Sequence, residues 1–218
     1  MEMPCDLHEG YRRFRADRLT LEADRYRSLA TEQKPTTMIV GCADSRVDPA
    51  TIFDAAPGEL FVVRNVAALV PPYEETGTYH GTSAALEFAV TGLKVSQIVV
   101  LGHGMCGGIA ASLAIAEARP VGRFVKPWVE LISDLRDELT DRVPASQPEK
   151  RQKALERMAI QQSLDNLLTF PFVADAVESN RLSLHGAWFS IADAELQWLD
   201  STNGVFERIE TEATLSAG

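Results

Sequence analysis

The sequence predicts an α/β fold in which a central, mostly parallel β-sheet of four to five strands is flanked by helices, with an N-terminal helical arm. Short apolar segments rich in β-branched residues alternate along the chain with longer helical segments. This alternation is typical of a parallel sheet whose two faces are both covered by helices. The predicted strands are, in chain order, 36–41, 59–64, 97–101, 182–191 and 195–199.

We expect a single domain across residues 1–218, with a helical arm at 1–31, an α/β core at 32–200 and a C-terminal tail at 201–218. The 218 residues are 45% hydrophobic, which is enough to build one substantial core. The arm is predicted from an amphipathic pattern rich in arginine, and such a segment would also suit packing on a partner subunit. The helices expected within the core are 82–93, 106–118, 125–139 and 149–168.

The charge of the chain narrows the class of partner. A net charge of -10 argues against nucleic acid and anionic membranes, which would repel this surface, but it leaves a small-molecule substrate open. The sequence contains no run of eighteen apolar residues, so it predicts no membrane span. The polar N-terminus lacks the apolar region of a secretory signal. Three cysteines, an odd number, argue against a disulfide framework. We therefore expect a cytoplasmic protein with reduced thiols.

Three residues have the chemistry and placement of metal ligands. His103 and Cys106 follow the predicted third strand three residues apart, and Cys42 follows the first strand. The carboxyl ends of parallel strands are where sites form in α/β folds, and zinc binds mixed sulfur and nitrogen ligands. Three protein ligands would leave one tetrahedral position open, as in catalytic zinc sites. On spacing alone, a closed structural zinc site and two buried core cysteines stay open as alternatives.

The segment that follows Cys42 favours the catalytic interpretation. Alternation in an extended segment would place Cys42, Asp44 and Arg46 on one side. Arg46 can then grip the Asp44 carboxylate through two parallel hydrogen bonds, which holds that carboxylate ionised and ready to accept a proton beside the metal. The alternative is an ion pair with a structural role only.

These two motifs together resemble the signature of the β-class carbonic anhydrases, which is C-x-D-x-R after the first strand and H-x-x-C-G-G after a later one. The resemblance is dense from about residue 33 to 109 and looser towards the C-terminus. Several further segments match in order and at family spacing: 61–67 resembles the family's strand and turn after the first motif, and 69–73, 81–87 and 93–95 resemble its plant-type branch.

The resemblance implies an activity, a metal and a catalytic pair. It implies reversible hydration of carbon dioxide to bicarbonate and a proton, which makes the protein a lyase. It implies a Zn²⁺ ion on Cys42, His103 and Cys106, and it implies that Asp44 and Arg46 form the catalytic dyad.

The resemblance also implies a substrate pocket at a subunit interface, and therefore a homodimer or a dimer of dimers. Gln33, nine residues before the first zinc cysteine, matches a glutamine that lines this pocket, and Phe61 and Val66 match its apolar wall. Phe88 stands where the plant-type branch usually has a tyrosine, so one polar contact to bicarbonate would be missing. Gly107 opens a predicted helix, whose exposed N–H groups favour an anion.

A second branch of the family carries a regulatory bicarbonate site with a tryptophan three residues before the first cysteine. Ile39 occupies that position here, which predicts that this site is absent, although Arg64 matches another of its residues. In that branch the aspartate also moves onto zinc, so both water and Asp44 stay open as the fourth ligand.

Three other functions stay open at this point. Relatives with the same zinc motifs hydrolyse carbonyl sulfide or carbon disulfide, and sequence does not separate these substrates. A non-catalytic zinc- or bicarbonate-sensing module is a second alternative, which the presence of the Asp44–Arg46 pair disfavours. An enzyme with a cysteine nucleophile is the third, and it leaves the second cysteine unexplained. His80 or a chain of waters would carry the released proton away.

Overall fold

The structure, a computed structural model that describes residues 4–77 and 80–210, is built on one β-sheet. The strands found in this part of the chain are β1 (Thr37–Cys42), β2 (Leu60–Asn65), β3 (Gln97–His103), β4 (Ser183–Ser190), β5 (Glu195–Asp200) and β6 (Val205–Arg208). Their order across the sheet is β2-β1-β3-β4-β5-β6. The first four are parallel, and β5 and β6 add antiparallel pairs at one edge. The predicted α/β class with a mostly parallel sheet is confirmed.

The sheet has one strand more than the four to five predicted. The additional strand is β6, which falls within the stretch expected to be a tail. A tight turn that ends at Gly204, with φ of 73°, brings β6 back onto β5. Its signal in the sequence is weak because this edge strand buries little, and only Phe206 among its four residues is even partly buried. The rest of the expected tail, residues 211–218, lies outside the described residues.

Helices cover both faces of the sheet. The described α-helices are α1 (Cys5–Arg13), α2 (Leu19–Leu29), α3 (Pro49–Ile52), α4 (Gly81–Glu87), α5 (Gly107–Ala116), α6 (Val125–Val129), α7 (Ser133–Arg142), α8 (Pro148–Leu167) and α9 (Pro171–Glu178). The predicted helix at 125–139 is wrong as one element, because a 3₁₀ turn at Glu130–Ile132 separates α6 from α7. Sequence reasoning missed α3 and α9, each of which opens on a proline.

The central strands are buried on both faces, which explains their unbroken apolar sequences. In β1, Met38 and Val40 face one cluster of core residues, whereas Ile39 faces another that includes Val99 and Leu101 of β3. A third cluster packs α5, α7 and α8 around the carboxyl ends of β1 and β3. The carboxyl ends of β1 and β3 are therefore packed against buried side chains of these helices.

The predicted N-terminal arm is helical but buries little in this protomer. It runs through α1, a π-helical turn at Phe14–Arg18 and α2, and none of the residues from Cys5 to Leu29 is buried. Leu7, Tyr11 and Leu21 are 61%, 53% and 87% exposed. An apolar helix face of this size, left uncovered, is typical of an interaction surface.

The strand order indicates where in the sheet a ligand site is expected. The chain leaves β1 for β2 on one side and returns to β3 on the other, so the carboxyl ends of β1 and β3 form a topological switch point. Ligands bind at such points in open α/β sheets. Separately, no helix in the described ranges 4–77 and 80–210 combines the length and apolar character needed to cross a bilayer.

Candidate metal centre and active site

Cys42, His103 and Cys106 converge at the switch point. Cys42 is the last residue of β1, His103 the last of β3, and Cys106 the N-cap of α5. All three are buried, and their ligand atoms lie within 4.8 Å of one another. The two sulfurs are 3.9 Å apart. Two sulfurs bound to one tetrahedral zinc at about 2.3 Å each would lie roughly 3.8 Å apart, so this spacing fits zinc.

The imidazole of His103 supplies an independent test of the fit. Its Nδ1 lies 2.9 Å from the Gly104 carbonyl oxygen, which only accepts, so in the neutral imidazole Nδ1 carries the proton and Nε2 presents a lone pair. Within the described part of the chain, this Nε2 is buried without any hydrogen-bond partner. A buried polar atom without a partner is costly, and a cation bound to the lone pair removes that cost. The donor set of two sulfurs and one nitrogen suits zinc.

The protonation of the three ligands without metal follows from their closeness. The hydrogen bond from Cys106 lowers the pKa of Cys42 well below its usual value. The same hydrogen bond and burial raise the pKa of the Cys106 thiol, and the negative charge of the nearby Cys42 thiolate raises it further. Burial lowers the pKa of His103, but the nearby Cys42 thiolate and the Gly104 carbonyl raise it more. The cluster therefore holds protons that a metal ion must displace.

We expect zinc binding to release about one to two protons near pH 7 and about one to two near pH 9, where a water on the bound ion would add a proton to that of the Cys106 thiol. The Cys106 thiol loses its proton at both pH values, whereas His103, with its raised pKa, contributes only at the lower one. Calorimetric zinc titrations of the metal-free protein, in buffers of different ionisation enthalpy, measure this number. Release of no proton at pH 9 would show that Cys106 is not a ligand.

Asp44 and Arg46 form the bidentate pair that the sequence predicted, although by a different local geometry. Arg46 Nε donates to Asp44 Oδ1 at 2.9 Å, and Nη2 donates to Oδ2 at 2.7 Å. The assumed extended alternation is wrong, since Ser45 and Arg46 form a turn in which the Arg46 N–H also donates to Asp44 Oδ1 at 3.0 Å. These hydrogen bonds hold the pKa of Asp44 well below its usual range.

The pair lies against the metal cluster. Asp44 Oδ2 is 4.0 Å from His103 Nε2, the atom without a partner. Arg46 also donates to the Met105 carbonyl at 3.2 Å, which ties the Asp44 turn to the loop between the two later ligands. Met105 adopts a left-handed conformation, with φ of 56°, that turns the chain into α5. An ionised carboxylate is thus fixed beside the point where the three ligand atoms meet.

Arg64 braces the segment that carries Cys42 and Asp44, a role that sequence reasoning missed. Its guanidinium donates to the carbonyls of Cys42 at 2.8 Å, Asp44 at 2.6 Å and Val47 at 3.2 Å. Parallel pairing of β1 with β2 places Arg64 opposite Gly41, so the side chain reaches across to this turn. Its Nε and Nη2 donors are therefore committed to the backbone of the site, while Nη1 lies 3.6 Å from Asp48 Oδ1.

The start of α5 brings Val66 and Gly107 together at the site's edge. A Cβ atom at Gly108 would lie 2.6 Å from Val66 Cγ1 and 3.2 Å from the Ala67 nitrogen, so this position requires glycine. A Cβ atom at Gly107 would meet nothing within 4 Å, which leaves its backbone open. Val66 and Gly107 line the same groove. Two of the predicted substrate-binding residues thus lie near the metal cluster.

Gln33, Phe61 and Phe88 lie elsewhere. Gln33 is exposed in the coil before β1, and Phe61 pairs with Met38 near the amino end of the strands. Four strand residues separate that level from Cys42, a distance of about 13 Å. Phe88 is exposed and packs on Phe61, with 5.8 Å between ring centroids. One copy of this chain does not bring these three residues to its own metal cluster.

A buried ligand set with one direction left open, beside a fixed carboxylate, is typical of a metal-dependent enzyme. Among the described residues, no fourth Cys or His side chain joins the cluster to close it. The chain belongs to the carbonic anhydrase family, whose sequence profile matches residues 37–196. Enzymes of this family hydrate carbon dioxide, and the β-class members are zinc lyases.

Two curated relatives from Arabidopsis thaliana place the chain in the β class. β-Carbonic anhydrase 3 is 35% identical over 185 residues, which are 84% of this chain and 71% of that protein. β-Carbonic anhydrase 5, chloroplastic, is 35% identical over 193 residues, which are 88% of this chain and 63% of that protein. The chain thus spans less than two thirds of the second relative's length.

Solved structures agree in fold. The β-carbonic anhydrase CcaA is 28% identical and superimposes with a TM-score of 0.85, covering 95% of this chain and 92% of that one. A structure from a study of two tetrameric β-carbonic anhydrases of Sordaria macrospora is also 28% identical, with a TM-score of 0.72, and covers 89% of this chain and 92% of that one. The expected family, fold and metal are confirmed.

Proposed function

We propose that this chain is a zinc-dependent carbonic anhydrase that converts carbon dioxide and water reversibly to bicarbonate and a proton. Cys42, His103 and Cys106 would hold the ion. The observation that carries the proposal is the buried Nε2 of His103, which has no hydrogen-bond partner among the described residues and lies 4.0 Å from Asp44 Oδ2. Bound zinc lowers the pKa of a coordinated water and so supplies a hydroxide nucleophile near neutral pH.

In this proposal Asp44 accepts a hydrogen bond from the reacting water and fixes its direction. Both carboxylate oxygens already accept from Arg46, so the carboxylate cannot rotate; Oδ1 accepts twice, whereas Oδ2 accepts once and keeps a free lone pair. Because Arg46 holds the pKa of Asp44 low, the carboxylate stays an acceptor across the neutral range. The same pairing keeps Asp44 on Arg46, which supports water rather than Asp44 as the fourth ligand.

Substrate binding divides between two copies in this proposal. Val66 and Gly107 would contact carbon dioxide or bicarbonate from the chain that holds the zinc, because they line a groove at the start of α5. Gln33, Phe61 and Phe88 would act in the site of a second copy, since they lie at the opposite end of their own sheet. Phe88 lacks the hydroxyl of a tyrosine and would contribute only apolar contact.

The test is a direct comparison of substrates on purified, zinc-loaded protein. Stopped-flow assays measure carbon dioxide hydration, and sulfide release measures hydrolysis of carbonyl sulfide and carbon disulfide. The proposal requires hydration to exceed both hydrolyses in kcat/KM and to disappear when zinc is removed. Faster sulfide release would favour the hydrolase, and zinc binding without any turnover would favour a sensing module. His80, which lies at the N-cap of α4, stays a prediction for proton transfer.

We also infer a homodimer or a dimer of dimers. The arm from Cys5 to Leu29 exposes apolar side chains, and the tetrameric relatives from S. macrospora share this fold. Analytical ultracentrifugation should give a mass of two or four times 23.9 kDa. Replacing Leu7, Tyr11 and Leu21 with serine should shift the mass towards the monomer, whereas serine at exposed Leu168, outside the arm, should not. A wild-type monomer would refute the inference.

The compartment also stays a proposal. The described cysteines are all free thiols, which suits a reducing compartment such as the cytoplasm. One of the relatives is named as chloroplastic.

A further inference from the structure

A buried carboxylate, that of Glu156, contacts the backbone of Cys106. Glu156 projects from α8 and is 3% exposed. Its Oε1 accepts the backbone N–H of Cys106 at 3.1 Å and the amide of Gln152 at 2.8 Å. Its Oε2 accepts the indole N–H of Trp188 at 3.0 Å. Three donors therefore converge on one group, which suits a carboxylate because it only accepts.

Gln152 completes the grip on Cys106 from the same helix. Its amide nitrogen donates to the Cys106 carbonyl at 3.0 Å as well as to Glu156. Both backbone polar groups of Cys106 are thus bound to side chains of α8, which lie 46 and 50 residues further along the chain. Fixing both peptide units that flank Cys106 fixes the direction of its Cα–Cβ bond and leaves rotation about that bond as the one freedom of the sulfur.

Two glycines allow α8 and Trp188 to come this close. A Cβ atom at Gly102 would lie 2.6 Å from the Cδ1 of Ile160, one turn beyond Glu156 on α8. A Cβ atom at Gly104 would lie 3.1 Å from the ring of Trp188. The Trp188 ring is held in turn between the indole hydrogen bond and two cations, Lys153 and Arg157, at 4.9 and 5.1 Å from its centroid.

The charge of Glu156 bears on a metal ion as well as on geometry. Among the described residues no cation lies within ion-pair distance of Glu156; its three hydrogen bonds come from N–H groups, and the charge of Arg157 acts on it from further away. A negative charge this close to the Cys106 backbone favours a cation bound to the Cys106 sulfur. Groups that orient metal ligands from outside the coordination shell commonly change metal affinity by about 10–100-fold.

We propose that Glu156 is a positioning residue for the metal centre, which aims the Cys106 sulfur and adds negative charge behind it. This inference rests on the metal site of the proposed function. It does not make Glu156 a ligand or a proton acceptor in the reaction, because all its contacts run to the backbone of Cys106 and to two side chains.

The test compares Glu156→Gln with Glu149→Gln, the same change at an exposed position in the first turn of α8. Competition with a chromophoric chelator should show zinc affinity about 10–100-fold weaker for Glu156→Gln and unchanged for Glu149→Gln. In cobalt-substituted protein, the thiolate-to-cobalt absorption bands should shift for Glu156→Gln alone. Thermal unfolding of the metal-free proteins reports separately on stability.

A double variant separates the effect of Glu156 on Cys106 from the effect of its hydrogen bond with Trp188. The NH₂ group of a glutamine at position 156 can point at the Trp188 N–H, which places two donors against each other. The double variant Glu156→Gln/Trp188→Phe removes that conflict. Zinc affinity should stay weak in the double variant and should be near wild type in Trp188→Phe alone. If Glu156→Gln fails to fold, Glu156→Asp keeps the charge but withdraws it from Cys106, and its zinc affinity should still fall.

The outcomes are distinct. Wild-type zinc affinity and an unchanged cobalt spectrum in the Glu156 variants, with lower stability only, would overturn the inference. Because neither readout uses carbon dioxide, a wild-type protein that binds zinc without hydrating carbon dioxide would refute the proposed function and leave the result for Glu156 intact.

Discussion

Replacing Asp44 with asparagine is expected to lower kcat/KM for carbon dioxide hydration about 10²–10⁴-fold while the protein keeps its zinc. Asparagine has nearly the shape of aspartate, but it offers one acceptor oxygen in place of two and brings two amide hydrogens. One of the two Arg46 donors that now meet the carboxylate at 2.9 and 2.7 Å would face those hydrogens. The group that directs the reacting water would therefore lose both its charge and its fixed orientation.

The matched control is Asp54→Asn, because Asp54 is an exposed carboxylate a short distance along the chain and lies outside the site. Its φ of 47° is a conformation that asparagine tolerates well, so the control should fold and react like wild type. Zinc content by elemental analysis must match in all three proteins. Full hydration activity in zinc-loaded Asp44→Asn would show that Asp44 does not direct the reacting water.

The pH dependence of the hydration activity gives a second test of the state of Asp44. Arg46 holds the pKa of Asp44 well below its usual range, so Asp44 stays ionised as the pH falls through neutrality. Any loss of wild-type activity between about pH 8 and pH 6 must then come from another group. A midpoint should therefore still appear in the residual activity of Asp44→Asn over this range, moved towards lower pH because a negative charge beside the site has been removed.

Some of this site could be predicted from sequence because its parts are local. Cys42 and His103 each follow a short apolar strand, and the ends of parallel strands meet at one edge, so their meeting follows from the fold class. Asp44 and Arg46 are two residues apart and pair in a turn as readily as in a strand, so the pair was predicted although its backbone was not.

The parts that sequence reasoning missed depend on contacts between distant segments. Arg64 lies 22 residues from the carbonyl of Cys42, and Glu156 lies 50 residues from the N–H of Cys106. Nothing near either residue in the sequence shows the contact, because a charged residue in a strand or helix pattern is usually solvated. The register of β1 on β2 decides the first contact, and the packing of α8 decides the second.

The substrate-binding predictions mark a different limit. A role for Gln33, Phe61 and Phe88 in binding substrate would depend on which surfaces of two copies meet, because in one copy Phe61 lies about 13 Å along the strands from Cys42 and Phe88 packs on Phe61. The N-terminal arm shows the same incompleteness, since Leu7, Tyr11 and Leu21 stay mostly exposed in the protomer. Residue patterns predict which side chains are buried, but they do not predict the surface of the partner that covers them.

Replacing Cys42 with alanine is expected to weaken zinc binding by more than the roughly 10–100-fold typical of losing a group that only orients a ligand. One of the three ligand atoms that lie within 4.8 Å disappears, and with it the thiolate that faces the Cys106 sulfur at 3.9 Å. Hydration activity should fall in proportion to the zinc lost, because the remaining pair of ligands cannot hold the ion at assay concentrations.

Cys5→Ala is the matched control, since it removes an exposed thiol from α1 and leaves the buried cluster intact. Zinc content after dialysis and affinity by chelator competition should be unchanged in Cys5→Ala and strongly reduced in Cys42→Ala. Thermal unfolding of both metal-free proteins separates a folding defect from a binding defect, because only the holo protein gains stability from zinc. Cys42→Ala that folds and binds one zinc as tightly as wild type would remove Cys42 from the ligand set and require a metal site elsewhere in the chain.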